Sequence, residues 1–186
     1  MADSRVAYRY VKSLLQLAVE QKALEEVNND MMLFAQVCDR NRAFTLMLRN
    51  PVVKHDKKNE ILRAVFRGRV HNLTLAIFDI ITRKNREPLL PEIARQFHNA
   101  YNEYKGIVKA SLTTAFPVDK ALRMEFETIV KKISTSNLVE MVEKVDQQMI
   151  GGFVLTVGDK QIDASISNQL KTLEREFSQN PYIKEI

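Results

Sequence analysis

The chain has 186 residues, 45% apolar and 27% charged, with a mean hydropathy of −0.24 and a single cysteine. This composition argues against a disordered chain, a disulfide scaffold or a multi-cysteine metal site, and apolar stretches such as 73–81 fall far short of the ~20 residues a membrane span needs. The formal net charge is +5, but residues 1–105 hold 18 Lys/Arg against 12 Asp/Glu and the remainder 10 against 11, an asymmetry that suggests two domains and an acidic or anionic partner for the first.

The opening MADSRVAYRY lacks a basic-then-apolar signal pattern, so no cleavable presequence is expected, and the sparse cysteine usage favours a cytoplasmic setting. Along residues 4–21, Val6, Tyr10, Leu14 and Leu17 recur at helical spacing beside a second stripe of Ala7, Val11, Leu15 and Ala18. The apolar arc is wide. Leu24, Val27, Met31, Phe34 and Cys38 give the next helix one clean stripe, which makes Cys38 a core residue rather than a reactive thiol. A short helix follows over 44–48 and ends at Asn50-Pro51, because proline disfavours helical geometry in the residue before it.

Asp56 is placed to cap a fourth helix carrying Ile61, Leu62, Val65 and Phe66 and stopping near Gly68. A fifth begins about Asn72, with Leu73, Ala76, Ile77, Ile80 and Ile81 on one face and Leu75 and Phe78 outside it. The turn Lys84-Asn85-Arg86 ends it, asparagine tolerating the left-handed conformation. Pro88 and Pro91 then sit in the first turn of a sixth helix whose inner side holds Leu90, Ile93, Phe97, Ala100, Tyr101 and Tyr104.

After Gly106 the period changes. Residues 107–115 are rich in β-branched side chains and read as a strand, and Asp119 can cap a helix with Leu122, Phe126, Ile129, Val130 and Ile133 at core spacing. Residues 138–145 and 153–157 read as two further strands joined by a loop containing Gly151 and Gly152. Asp163 caps a final helix bearing Ile166, Leu170, Leu173 and Phe177. The expected fold class is α+β: a six-helix domain over 1–105, a β-α-β-β-α domain over 106–178, and a loose tail over 179–186.

No chemistry-bearing constellation emerges. Gly151-Gly152 is followed by Phe153, and Gly158-Asp159-Lys160 by Gln161, so neither supplies the glycine spacing and Lys-Ser/Thr pair of a phosphate loop. The bland reading is that these glycines meet a positive φ or a close backbone approach. His55, His71 and His98 fall on separate segments without metal-ligand spacing, and no carboxylate pair is marked for acid–base work, so no catalytic residue, metal or cofactor is expected. The basic first half, with Tyr8, Tyr10, Tyr101 and Tyr104, leaves open a basic helical nucleic-acid-binding protein. Against this, the first and fifth helices carry more apolar surface than one-sided packing needs, as a groove for a partner helix would or as two helices central in the bundle would equally.

The run VDQQMIGGFVLTVGDKQIDASISNQLKTLE resembles the carboxy-terminal signature of the delta subunit of F-type ATP synthases, a family that includes the mitochondrial oligomycin sensitivity conferral protein. Asp146, Gly151-Gly152, Gly158-Asp159 and Ile162-Asp163 stand at the family's marked places, while Thr156 stands where many members carry a basic residue. Upstream, Ala7 and Tyr10 resemble the family's first-helix pattern, with Val11 and Ser13 in place of small alanines. Lys84-Asn85-Arg86 followed by Leu90-Pro91 resembles its Asn-Gly-Arg and Leu-Pro, with Asn85 replacing the turn glycine.

The resemblance implies a non-catalytic stator subunit on the cytoplasmic face of a bacterial inner membrane. Its first domain would hold the amino-terminal helix of an alpha subunit between helices 1 and 5, and its second the ends of the peripheral-stalk b subunits. Such a link keeps the catalytic head from turning with a rotor driven by proton or sodium flow. Within that groove, Tyr10, Leu14, Ala76 and Ile80 are the expected contacts, with Gly151, Gly152, Gly158, Asp159 and Asp163 shaping the turns of the second domain and no nucleic acid involved.

Overall fold

On the first helix, α1 (Ala2–Glu20), Ala7, Val11, Leu14 and Ala18 are spaced i, i+4, i+7 and i+11, and all four are buried. That spacing is one face of a 3.6-residue helix, so the core claims Leu14 rather than Leu15. The computed structural model describes residues 2–134, 136 and 138–178, with side chains from Arg5 onward, so the expected tail at 179–186 lies outside the described residues. Among the described residues there are eight α-helices and a four-stranded mixed sheet, an α+β chain dividing into two units, Met1–Tyr104 and Lys105–Ile186.

The first unit continues with α2 (Leu24–Arg40), α3 (Arg42–Arg49), α4 (His55–Phe66), α5 (Asn72–Arg83), a 3₁₀ turn at Glu87–Leu89 and α6 (Leu90–Lys105). Its centre is aromatic: Phe34 of α2 lies 4.9 Å from Phe78 of α5 and 5.4 Å from Phe66 of α4, ring centre to ring centre, with Phe44 of α3 against both Phe34 and Phe66. Four helices thus converge on one cluster, whose offset and edge-on geometries suit the ring quadrupoles. Phe78 is buried although the helical pattern put it outside the main stripe, because α5 turns Thr74, Ile77, Phe78 and Ile81 inward.

In the first unit one cap differs from expectation. Asp56 lies inside the first turn of α4, which starts at His55 after Lys54 and has no side-chain cap; there its charge still suits the helix dipole. Asn41 caps α3 by accepting from the Phe44 amide, and His71 Nδ1 caps α5 by accepting from the Leu73 amide. Asn85, with φ of +53°, makes the left-handed turn after α5, whose last carbonyls accept the amides of Lys84, Asn85 and Arg86.

The second unit runs β1 (Ile107–Thr114), α7 (Lys120–Ile133), β2 (Leu138–Val145), β3 (Phe153–Val157), β4 (Lys160–Asp163) and α8 (Ile166–Ser178), with strand order β2-β1-β3-β4. β1 pairs parallel with β2 and antiparallel with β3, and β3 pairs antiparallel with β4. One expectation is corrected here: the short strand β4 was not foreseen. The loop containing Gly151 and Gly152 joins strands that are not neighbours, since β2 and β3 flank β1 on opposite sides. Residues 146–152 therefore pass the end of β1, where the Asp146 amide donates to the Thr114 carbonyl. The hairpin is the next connection, Gly158-Asp159, between the paired residues Val157 and Lys160.

Alternate residues of β1 and β3, namely Ala110, Leu112, Leu155 and Val157, point to one face and bury against Phe126 and Val130 of α7. Asp119 caps α7 by accepting from the Lys120 amide. Leu122 and Ile129, placed at core spacing by sequence, remain 49% and 38% exposed. The helix rests on the sheet through a narrower stripe than its pattern allows.

Candidate partner-binding surfaces

In the first unit the expected groove residues separate by burial. Ile80 is 48% exposed, Ala76 is exposed and Tyr10 half-buried, whereas Leu14 is only 2% exposed and packs in the core. Leu14 is thus corrected from an exposed groove residue to a core residue. Ala76 and Ile80 stand one turn apart on the outer side of α5. On α1, Tyr10 shares its stripe with Leu17, 44% exposed; the same seven-residue spacing visible in the sequence would have chosen Leu17 in place of Leu14. Arg86 donates to the Tyr10 hydroxyl at 3.1 Å, tying this side of α1 to the turn after α5.

Around these faces the first unit is pinned by polar contacts. Asp30 of α2 accepts from the His71 amide at 2.7 Å and from the buried Thr74 hydroxyl at 2.8 Å, fixing the start of α5. Arg63 of α4 is paired bidentately with Asp79 of α5, and this hydrogen-bonded guanidinium holds the Asp79 carboxyl below the usual carboxylate range. Burial pushes the Cys38 thiol up to about 11, which makes it inert.

The second unit has a different kind of surface. α8 buries none of its residues. Ile166, Leu170, Leu173 and Phe177, spaced for one face, are 39%, 53%, 47% and 85% exposed. An amphipathic helix with its apolar stripe uncovered is a surface prepared for another apolar element. Its start is set by Ser165, whose hydroxyl oxygen accepts from the Asn168 amide. Asp163 instead ends β4 and accepts from the Ser165 amide, so the expected cap moves two residues along. Hydrogen bonds from the Ser165 hydroxyl and amide hold the Asp163 carboxyl below its ordinary value.

Gly151 and Gly152 position this helix. Gly152 has φ of +82°, and a Cβ there would stand 2.3 Å from the Ala164 carbonyl oxygen. The Gly151 carbonyl accepts from the Ile166 amide at 3.1 Å, and that of Phe153 from Ala164 at 2.9 Å. The loop and the entry to α8 are thus laced backbone to backbone. Gly158, with φ of +57°, has open space around it and serves only the β3–β4 turn that it makes with Asp159.

Among the described residues no group of three or more His, Cys, Asp or Glu is arranged to hold a metal ion, and no helix is long and apolar enough to cross a membrane. The histidines are dispersed: His55 beside Asp56, His71 in its cap, His98 against Asn28 and Tyr101. Tyr101 is buried and donates to Glu25, so it offers no stacking face.

The family model for the ATP synthase delta (OSCP) subunit matches residues 6–177. The chain belongs to that family. It is 38% identical to the ATP synthase subunit delta of Cytophaga hutchinsonii, over 96% of this chain and 97% of that one. To the subunit of the same name from Christiangramia forsetii it is 36% identical over the full length of both. A chain of the Toxoplasma gondii mitochondrial ATP synthase hexamer shares the fold, with a TM-score of 0.74 at 20% identity over 94% of this chain and 98% of that one. As a delta (OSCP) family member the chain is a non-catalytic stator subunit of an F-type ATP synthase, and the nucleic-acid reading has no support.

Proposed function

We propose that the two units divide the stator's work: a six-helix domain at 1–105 holds the amino-terminal helix of an alpha subunit on the catalytic head, and the α/β domain at 106–178 holds the ends of the peripheral-stalk b subunits. The observation that carries this is the pair of uncovered apolar surfaces, one in each unit. In the first, Tyr10, Ala76 and Ile80 line the contact, Leu17 extends it and Leu14 supports it from below. In the second, the stripe of α8 takes the stalk, Gly151, Gly152 and Asp163 hold the connections that aim it, and Gly158 with Asp159 turns β3 into β4. Two apolar contacts on one chain link head to stalk without chemistry, each association being driven by the area removed from water. The protein then works at the cytoplasmic face of a bacterial inner membrane, reaching the bilayer only through its complex.

The test is a reconstitution with separated partners: membranes stripped of the catalytic head, and the isolated head. Ile80→Asp should weaken capture of the head and leave capture by stripped membranes intact, and Leu170→Asp with Leu173→Asp should do the reverse. Variants that impair both partners equally, or neither, would refute the division.

A further inference from the structure

The flank of α1 opposite Tyr10 has another character. Tyr8 stands two positions from Tyr10, so the two side chains leave the helix roughly 160° apart. Tyr8 is 58% exposed and sits between Arg5 and Arg9, which lie one turn apart on the same side. With Gln96, Asn99, Ala100 and Glu103 of α6 they line an open trough of about 490 Å³. Neither guanidinium has a side-chain hydrogen bond or ion pair among the described residues, even with Glu103 on the facing wall. Two like charges at this spacing disfavour the helix slightly, so the fold itself does not account for them.

We propose that this α1–α6 trough is a second docking site, for an acidic segment of protein. Its occupant carries carboxylates one helical turn apart, which pair with Arg5 and Arg9 in the bidentate geometry guanidinium favours, and an apolar side chain between them that rests on Tyr8 and Ala100. The excess of Lys/Arg over Asp/Glu in residues 1–105, 18 against 12, draws such a segment toward this unit. Glu103 decides between protein and polyanion. A phosphate backbone or lipid surface wants uninterrupted positive charge, whereas a carboxylate on one wall is compatible with a segment acidic along only one edge. The site lies on the other side of α1 from the proposed alpha-subunit contact, so the two can be filled together.

The experiment titrates the full-length protein with two synthetic amphipathic helical peptides of Leu and Ala, one with glutamates at i and i+4, the other with glutamines there. The glutamate peptide should bind and shift the amide resonances of Tyr8, Asn99 and Ala100, with affinity falling as salt rises. Arg5→Gln with Arg9→Gln should weaken it about tenfold or more, while Glu103→Gln should tighten it. Binding of an alpha-subunit amino-terminal peptide should be unchanged in the double variant, which separates this result from the fate of the α1–α5 assignment. Equal binding of the glutamine peptide, an unaffected double variant, or stronger binding to anionic vesicles or duplex DNA than to the glutamate peptide would overturn the proposal.

Discussion

Lys58 and Glu87 meet inside the first unit, with Nζ 3.7 Å from Oε2 and side chains only 5% and 3% exposed. The same ammonium donates to the Leu48 carbonyl at 2.9 Å, so one cation joins α4, the end of α3 and the 3₁₀ turn before α6. Taking two charges out of water is costly, and the pair is tolerated because each is the other's compensation. Removing one partner strands the other. Lys58→Met should therefore destabilise the protein by about 3–5 kcal/mol, and adding Glu87→Gln in the same chain should recover part of that loss. Urea unfolding of both variants checks it; a double variant no more stable than Lys58→Met would show that the pairing is not the source.

The apolar contact proposed on α5 gives a sharper test. Ile80 is 48% exposed, so an aspartate there meets water and leaves the core of Ile77, Phe78 and Ile81 in place. Ile80→Asp should weaken binding of an alpha-subunit amino-terminal peptide by more than about tenfold, since it places a charge in a desolvated contact, while far-ultraviolet circular dichroism stays that of the parent. Unchanged affinity in calorimetry would remove Ile80 from the site.

The contrast between Leu14 and Ile80 also marks what was legible in advance. Helical periodicity is local, so the helices and the Asn85 turn could be read directly. What sequence could not rank was which part of a wide apolar arc faces inward, because Leu14 and Leu15 differ only in angle and neighbouring helices decide. Strand pairing is non-local, and seven residues between β2 and β3 suit a hairpin or a passage across β1 equally well. Lys160 to Asp163 shows no alternation and is exposed throughout, so β4 exists only because β3 offers it an edge. The exposure of α8 was hidden for the opposite reason: its stripe has core spacing, and spacing alone cannot tell an own core from a partner's surface.

Asp79 supplies a pH dependence. Its pKa in the folded protein is lowered from 3.8 by the Arg63 hydrogen bonds, so the carboxylate contributes stability that is present above about pH 4 and lost as pH falls through the lower folded value. Asp79→Asn should be less stable than the parent at pH 7, and the gap should narrow below about pH 4. Denaturation midpoints at pH 7, 4 and 3 follow it; a gap that stays constant would mean that the ion pair does not couple to folding.

Cys38 should behave as a reporter of opening. With the thiol at about 11 and the side chain in the core, almost no thiolate is present at pH 8 and reagents have no path to it. A disulfide-exchange reagent should label the native protein orders of magnitude more slowly than the chain in denaturant, at a rate set by unfolding. Fast labelling without denaturant would contradict the burial.

The two turn glycines of the second unit should respond unequally to alanine. At Gly158 the new Cβ enters open space, so only the positive φ opposes it, at about 1 kcal/mol. At Gly152 the same backbone cost is joined by a contact of 2.3 Å with the Ala164 carbonyl oxygen and 2.9 Å with Ser165 Cα, both backbone atoms that cannot rotate away. Relief requires moving the entry to α8, which breaks the bonds from Ala164 to Phe153 and from Ile166 to Gly151. Gly152→Ala should thus cost at least about 2 kcal/mol more than Gly158→Ala, and it alone should impair capture by stripped membranes, because it shifts the helix proposed to carry the stalk contact. Thermal melts and the capture assay read the two effects separately. Equal melting temperatures for the two variants would show that the loop yields more easily than its packing implies.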